Sequence, residues 1–284
     1  MRHPKQIINS INYLNYFISF FFETKSLETR LINKIKFLFN IKNKIKLLGR
    51  ARSGIYLAVK ISLIKSQSKI VLMSPFTIPE VIDLVISAGG KPMFIDHETK
   101  STNFSFEKLE KSMRLRPASV IITHYHINQI YYKKINKLCK KNNVVLIEDC
   151  AISYSGKSNN IYIGSKGDFA VYSFSSFKFI NFFFGGAISF KNKYKKNILD
   201  ETYNWKKLKS SQYLKKCLQT LKFEIYTNKY IFNFFTFTIL KVFRNNKSLY
   251  LNKKSYLQDN FKLDKTYFSL PSNNAIAEIY KKTS

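Results

Sequence analysis

Two side chains in this sequence have the types and spacing for cooperative chemistry: the carboxylate of Asp149 and the amine of Lys178. Asp149 follows Glu148 at the end of an apolar run, VVLI, at 144–147. A second apolar run, 169–174, leads to Lys178, which stands among Phe174, Phe177 and Phe179. The segment FFFGGAIS at 182–189 then enters a third run through Gly185–Gly186. Apolar runs of this length bounded by Gly and polar clusters read as buried strands. An acid at the carboxyl end of such a strand sits where open α/β sheets place their ligand crevice. Phenylalanines around a lysine desolvate its ammonium, lower its pKa and favour the neutral, nucleophilic amine. A strand-end acid and a shielded lysine meet the needs of pyridoxal phosphate. The lysine bonds its aldehyde as a Schiff base, and the carboxylate keeps the pyridine nitrogen protonated, so that the ring is an electron sink. Plainer readings stand beside this one: a turn or cap role for Asp149, and a snorkelling surface role for Lys178. Spacing alone does not decide between them.

The elements that must position these residues follow from periodicity. In GRARSGIYLAVKISL, starting at Gly49, Ser53 is placed to cap a helix running through Ile55, Leu57, Ala58, Val59 and Leu63. A helix amino terminus offers free N–H groups and a positive dipole end, and Arg50 and Arg52 add charge, so this turn suits a phosphate. A capped helix with flanking basic residues is the plain alternative. Further on, strands are expected at 69–73, 91–96, 119–123 and 144–147, with helices at 79–87, 106–113 and 131–142. Strand–helix alternation at this spacing predicts βαβ units and an α/β fold, a mostly parallel sheet flanked by helices. Right-handed crossovers align the strand ends Met73, Asp96, Thr123 and Asp149 on one edge, with His124 beside them.

The 284 residues, 45% apolar, suffice for one large domain with a smaller appendage. All nine glycines fall at 49–186, and 191–270 holds neither Gly nor Pro. The turn-rich α/β part therefore lies at 49–190, after a basic segment at 1–48 that reads as helical and before a Lys- and aromatic-rich helical stretch at 191–270. The net charge of +31 suggests a polyanionic partner. Only seven of the 48 basic residues are arginine, the residue suited to bidentate base and phosphate recognition, which argues against specific nucleic-acid binding. Three cysteines without metal-like or CxxC spacing fit a reducing compartment, hence the cytoplasm. Two histidines at 124 and 126 do not make a zinc site. No run reaches the ~18 apolar residues of a spanning helix. The apolar start at 8–25 is a poor signal peptide, and 222–243 reads either as a core- or dimer-facing helix or as an interfacial one drawn to an anionic membrane surface.

Taken in order, the motifs resemble the sugar aminotransferases of the DegT/DnrJ/EryC1/StrS family, of the aspartate-aminotransferase fold (fold type I). The residues that carry the resemblance are GRARSGIYLAVK (49–60), SPFTIPEVIDLVISAGGKPMFID (74–96), IITHYH (121–126), VVLIEDCAISYSG (144–156), GSKGDFAVYSFSSFK (164–178) and GGAIS (185–189), with a fainter echo in LPSNNAIAEI (270–279). The resemblance implies pyridoxal 5'-phosphate as cofactor, Lys178 as its covalent anchor and catalytic proton carrier, and Asp149 as the partner of the ring nitrogen. Ser173, Arg52 and Ser53 would hold the phosphate, and Ile78 and Ile152 would flank the ring. It further implies a nucleotide-linked keto-sugar substrate, glutamate as amino donor and a homodimer. Ile78 stands where many members carry an aromatic ring, Ile152 where Gln or His is common, and Phe268 and Leu270 where Asn and Arg often precede the SN-A motif. The chain stops at Ser284 within a short segment, 271–284, so the family's small carboxyl-terminal domain is expected to be missing. These departures keep a second expectation open: a non-catalytic relative acting as a binding or assembly module.

Overall fold

The computed structural model describes residues 25–64, 66–99, 101, 103–124, 129–152, 157–158, 161–175, 178, 185–209, 211–212, 214–215, 218–219, 230, 232, 267–272 and 276. The longer elements, in order, are α1 (Lys25–Leu38), β1 (Lys44–Leu48), α2 (Ala51–Ile64), β2 (Ile70–Met73), α3 (Pro79–Ser87), β3 (Lys91–Phe94), α4 (Phe106–Ser112), β4 (Ser119–Thr123), α5 (Gln129–Lys141), β5 (Val145–Asp149), β6 (Phe169–Ser173), β7 (Gly186–Phe190) and α6 (Lys195–Thr202). The strands form one seven-stranded sheet in the order β1-β7-β6-β5-β4-β2-β3. Pairings from β6 through β5, β4 and β2 to β3 are parallel, and β7 alone runs against its two neighbours. The α/β fold expected from strand–helix alternation is the fold observed.

Alternation along each strand explains the three-layer build. Val71, Ile121, Ile147, Phe169, Val171 and Ile188 join Ile55, Ala58 and Val59 of α2 and Val81 and Val85 of α3 in one core. Their neighbours Leu72, Val120 and Leu146 face the other way, against Leu109 of α4 and Ile135 and Leu138 of α5. Ala170 and Tyr172 meet Leu31 and Ile35 of α1 on that second side. Helix α2 is apolar nearly all round, and nine of its residues are buried, as suits a helix pressed into a sheet. Local chemistry sets the other helix starts. Pro79 opens α3 with its fixed φ. The Ser105 hydroxyl accepts the Lys108 N–H at the start of α4.

Two segments differ from the sequence reading. Lys44–Leu48, within the stretch read as helical, is an edge strand paired antiparallel with Phe190–Gly186. Its partner lies some 140 residues later in the chain, so local pattern could not reveal it. The helix expected at Ser53 starts earlier, at Ala51, so Ser53 lies inside its first turn rather than capping it. The two-residue strand Ser269–Leu270 pairs with Lys206–Lys207, and Gly49 N–H donates to the Ser269 carbonyl at 2.9 Å. Phe268 packs edge-on against Tyr56 and Trp205. The apolar start at 8–24, and 222–243 apart from Tyr230 and Phe232, lie outside the described residues. Among the described residues no helix is long and apolar enough to cross a membrane.

Candidate active site

The carboxyl ends of β4, β5 and β6 and the amino end of α2 meet at one edge of the sheet. The register that pairs Thr123 with Asp149, and Asp149 with Val171, brings the end of β6 to Ser173 on the same edge. Arg50 bridges to Gly185, directly before β7. A Cβ on Gly186 would lie 2.5 Å from the backbone N and Cα of Ala51, so glycine is what lets the start of β7 touch the start of α2. That contact holds the first turn of α2 at the strand ends.

Alternation separates the two acids at the end of β5. Asp149 shares a face with Ile147, toward α2, while Glu148 shares the opposite face with Leu146, toward α5. Asp149 is 8% exposed, and its Oδ1 accepts the Ala151 N–H at 3.0 Å. Burial raises its pKa, against the opposing pull of that N–H and of the charges on Lys178 and His124. Lys178 is half-buried. Burial lowers its pKa, the nearby Asp149 charge works against this, and the Arg52 guanidinium adds to it. Lys178 thus lies within electrostatic reach of both Asp149 and Arg52, yet Lys178 and Asp149 do not form a direct ion pair.

The remaining expected residues surround them. Ser53 is 1% exposed, and its Oγ has no hydrogen-bond partner among the described residues. Arg52 pairs with Glu80 at 3.5 Å and stays part-exposed. The Ser173 hydroxyl is buried and donates to Ser175 Oγ at 3.3 Å. Ile78, directly before α3, is 48% exposed, and Ile152, beyond β5, is 54% exposed, so both offer bare apolar surface.

Sequence reasoning passed over Glu148. Its side chain is fully buried, and its two oxygens accept the N–H groups of Gly164 (2.9 Å), Lys166 (3.0 Å) and Gly167, with His124 Nε2 at 2.9 Å. Burial alone would push its pKa up, but hydrogen bonds and charge from His124, with Tyr132 and the Gly167 amide, outweigh that and hold it below the usual range. The signal was present in GSKGD at 164–168, whose glycines allow a turn with several amides aimed at one point. Cys150 completes a buried group with His124 and Glu148 whose donor atoms lie within 4.8 Å of one another. The donor set does not suit a metal: the Glu148 oxygens are already engaged by four donors, and burial holds the Cys150 thiol protonated. A second unforeseen pair is Ser74 Oγ with His97 Nε2, 2.7 Å apart, at the ends of β2 and β3.

The sheet order, the single reversed strand β7 and a site at the carboxyl edge define the aspartate-aminotransferase-like (fold type I) class. Within it, the chain belongs to the DegT/DnrJ/EryC1/StrS aminotransferase family, whose sequence profile matches residues 48–216, more than half of the chain. It is similar to the UDP-4-amino-4,6-dideoxy-N-acetyl-beta-L-altrosamine transaminase of Campylobacter jejuni (strain 81-176), with 30% identity over 149 residues, 51% of this chain and 39% of that one. It is similar also to the GDP-perosamine synthase of Escherichia coli O157:H7, with 24% identity over 128 residues, 45% of this chain and 35% of that one. The chain thus spans well under half the length of these two relatives. Among solved structures, the sugar aminotransferase CalS13 from Micromonospora echinospora superposes with a TM-score of 0.58 at 14% identity, covering 67% of this chain and 55% of that one, a likeness of fold.

Proposed function

We propose that the chain is the cofactor-binding part of a pyridoxal-phosphate-dependent aminotransferase that acts on a nucleotide-linked keto-sugar, with glutamate as amino donor. The observation that carries the reading is Lys178 at the strand edge, half-buried within electrostatic reach of both Asp149 and Arg52 but without a direct Lys178–Asp149 ion pair. The residues present fit the cofactor. Ser53 offers an unpartnered buried hydroxyl at a helix amino end, where a phosphate dianion is favoured. Among the described residues the Asp149 carboxylate receives one backbone N–H and no direct cationic contact, so it has capacity to accept a protonated ring nitrogen.

Bound pyridoxal phosphate supplies an electrophilic aldehyde and an electron-accepting ring. The chain's own residues do the rest. Ser53, Ser173 and Arg52 would hold the phosphate by hydrogen bonds and charge. Asp149 would hold the proton on the ring nitrogen. Burial, which lowers the Lys178 pKa, favours its Nζ as a nucleophile and afterwards as the base that would move a proton at the substrate carbon. Ile78 and Ile152 would exclude water from the ring's faces, without the polar partner expected at 152. The nucleotide-sugar substrate is inferred from the names of the two relatives above. The homodimer and the cytoplasmic setting are carried over from the family.

The test is spectroscopic and then chemical. Added cofactor should give an absorbance near the visible edge that borohydride bleaches in the wild type, and Lys178→Ala should bind no cofactor covalently. Amino transfer from glutamate to a nucleotide-linked keto-sugar then reads activity. The exposed Ile152 favours a second reading, a cofactor-binding but non-catalytic relative. Cofactor capture without any amino transfer would select it.

A further inference from the structure

The opposite edge of the sheet carries a cavity that the proposed chemistry does not use. It lies beneath the amino ends of β2, β4 and β5, has a volume of about 770 Å³, and is lined by Arg114, Arg116, Ser66, Gln67, Ser68 and Asn143, among others. Among the described residues no Asp or Glu lines it. Arg114 and Arg116 make no ion pair among the described residues. The Ser66 and Ser68 oxygens accept the N–H groups of Ser68 and Ile70, both at 3.1 Å, which leaves each hydroxyl proton free to be donated elsewhere. The wall is therefore cationic and rich in donors.

Two further features single out these arginines. The chain holds only seven arginines among its 48 basic residues, and two of them line this wall. Arginine is the cation whose planar fork matches a phosphate oxygen pair. Backbone conformation points the same way. Three non-glycine residues among those described have positive φ: Asn40, Arg116 and Asn143. Asparagine suits that region, whereas an ordinary side chain is strained there. Arg116 sits at φ 49°, ψ 54°, in a place where Gly or Asn would be easier to accommodate.

The geometry points to a binding site for a diphosphate-bearing small molecule in this cavity, separate from the α2 end and independent of the function proposed above. The volume falls in the range of small-molecule sites and exceeds the need of a single inorganic ion. Two guanidiniums line the cavity, and such forks bind phosphoryl groups by paired, charge-assisted hydrogen bonds.

The test is calorimetric titration of the full chain at about 0.15 M salt, where diffuse attraction is screened. Pyrophosphate and UDP serve as probes. One saturable site is expected that weakens by roughly tenfold or more in R114Q/R116Q, the loss anticipated when charged hydrogen bonds are removed. R114K/R116K, which keeps charge but loses the fork, should weaken it several-fold and guards against a folding defect in the first variant. The affected binding should persist in S53A, which sets it apart from the α2 end. UDP binding more tightly than pyrophosphate would assign a nucleotide, and equal affinity a free diphosphate. Unchanged affinity in R114Q/R116Q or in R114K/R116K overturns the proposal. So does an equal loss in K44Q/K46Q on the distant edge strand, which would report net charge alone.

Discussion

Replacing Glu148 with Gln should damage this fold far more than the same change at its neighbour Asp149. The Glu148 carboxylate is fully buried and accepts from Gly164, Lys166 and Gly167 and from His124. Glutamine keeps one acceptor oxygen and turns an NH₂ toward donors. At least two charge-assisted hydrogen bonds are lost, each worth about 1.5–3 kcal/mol, so roughly 3–6 kcal/mol disappears. That is a large part of the ~5–15 kcal/mol that holds a domain together. Urea unfolding at neutral pH, followed by circular dichroism, measures it. The acid limb adds a check of sign. The folded Glu148 pKa is depressed below 4.5, so its contribution is present above pH 4.5 and fades as pH falls through the folded value. The folded Asp149 pKa is raised above 3.8, so its contribution is present below pH 3.8 and is lost as pH rises through the folded value. Asp149→Asn should therefore leave stability at neutral pH equal or higher, while Glu148→Gln lowers it and flattens the acid limb. A Glu148→Gln loss below about 1 kcal/mol, or matching losses for the two variants, would refute the reasoning.

Other outcomes follow from the same geometry. Ser53→Ala removes an unpartnered buried hydroxyl, so the cofactor-free chain should keep its stability or gain about 1 kcal/mol by thermal melt, while absorbance titration shows weaker cofactor binding. Arg52→Gln removes a like charge beside Lys178, so the lysine pKa should rise and the pH midpoint of covalent cofactor capture should move upward; a downward move contradicts the arrangement. Gly186→Ala drives a Cβ against the Ala51 backbone and should cost about 3 kcal/mol or more in urea unfolding, with impaired cofactor binding because the α2 end is displaced.

Much of the fold was legible because its signals are local. Strand runs such as SVIIT (119–123), and helices such as Pro79–Ser87 with proline at its start, announce themselves within a few residues. The strand-end position of Asp149 followed from the same logic. What escaped depends on distant partners. Edge strand Lys44–Leu48 takes its identity from 186–190, and its alternating lysines read locally as a basic helix. Ser53 reads as a cap by residue type, yet its hydroxyl is left unpartnered because the helix begins two residues earlier, where Ala51 meets Gly186. Glu148 looked like a mere companion of Asp149. Only the strand's two-sided geometry shows that they face opposite layers and have opposite pKa shifts. The cavity beside Arg114 and Arg116 draws on segments from β2 to β5 that no single stretch of sequence unites.

The proposed function depends most heavily on Lys178 as the cofactor's covalent anchor. Borohydride reduction of the chain with pyridoxal phosphate, followed by mass spectrometry of its peptides, addresses this directly. A single stoichiometric pyridoxyl adduct is expected on the peptide containing Lys178, lost in Lys178→Ala and diminished in Asp149→Asn. An adduct spread over the many surface lysines, or one that persists in full in Lys178→Ala, would contradict it.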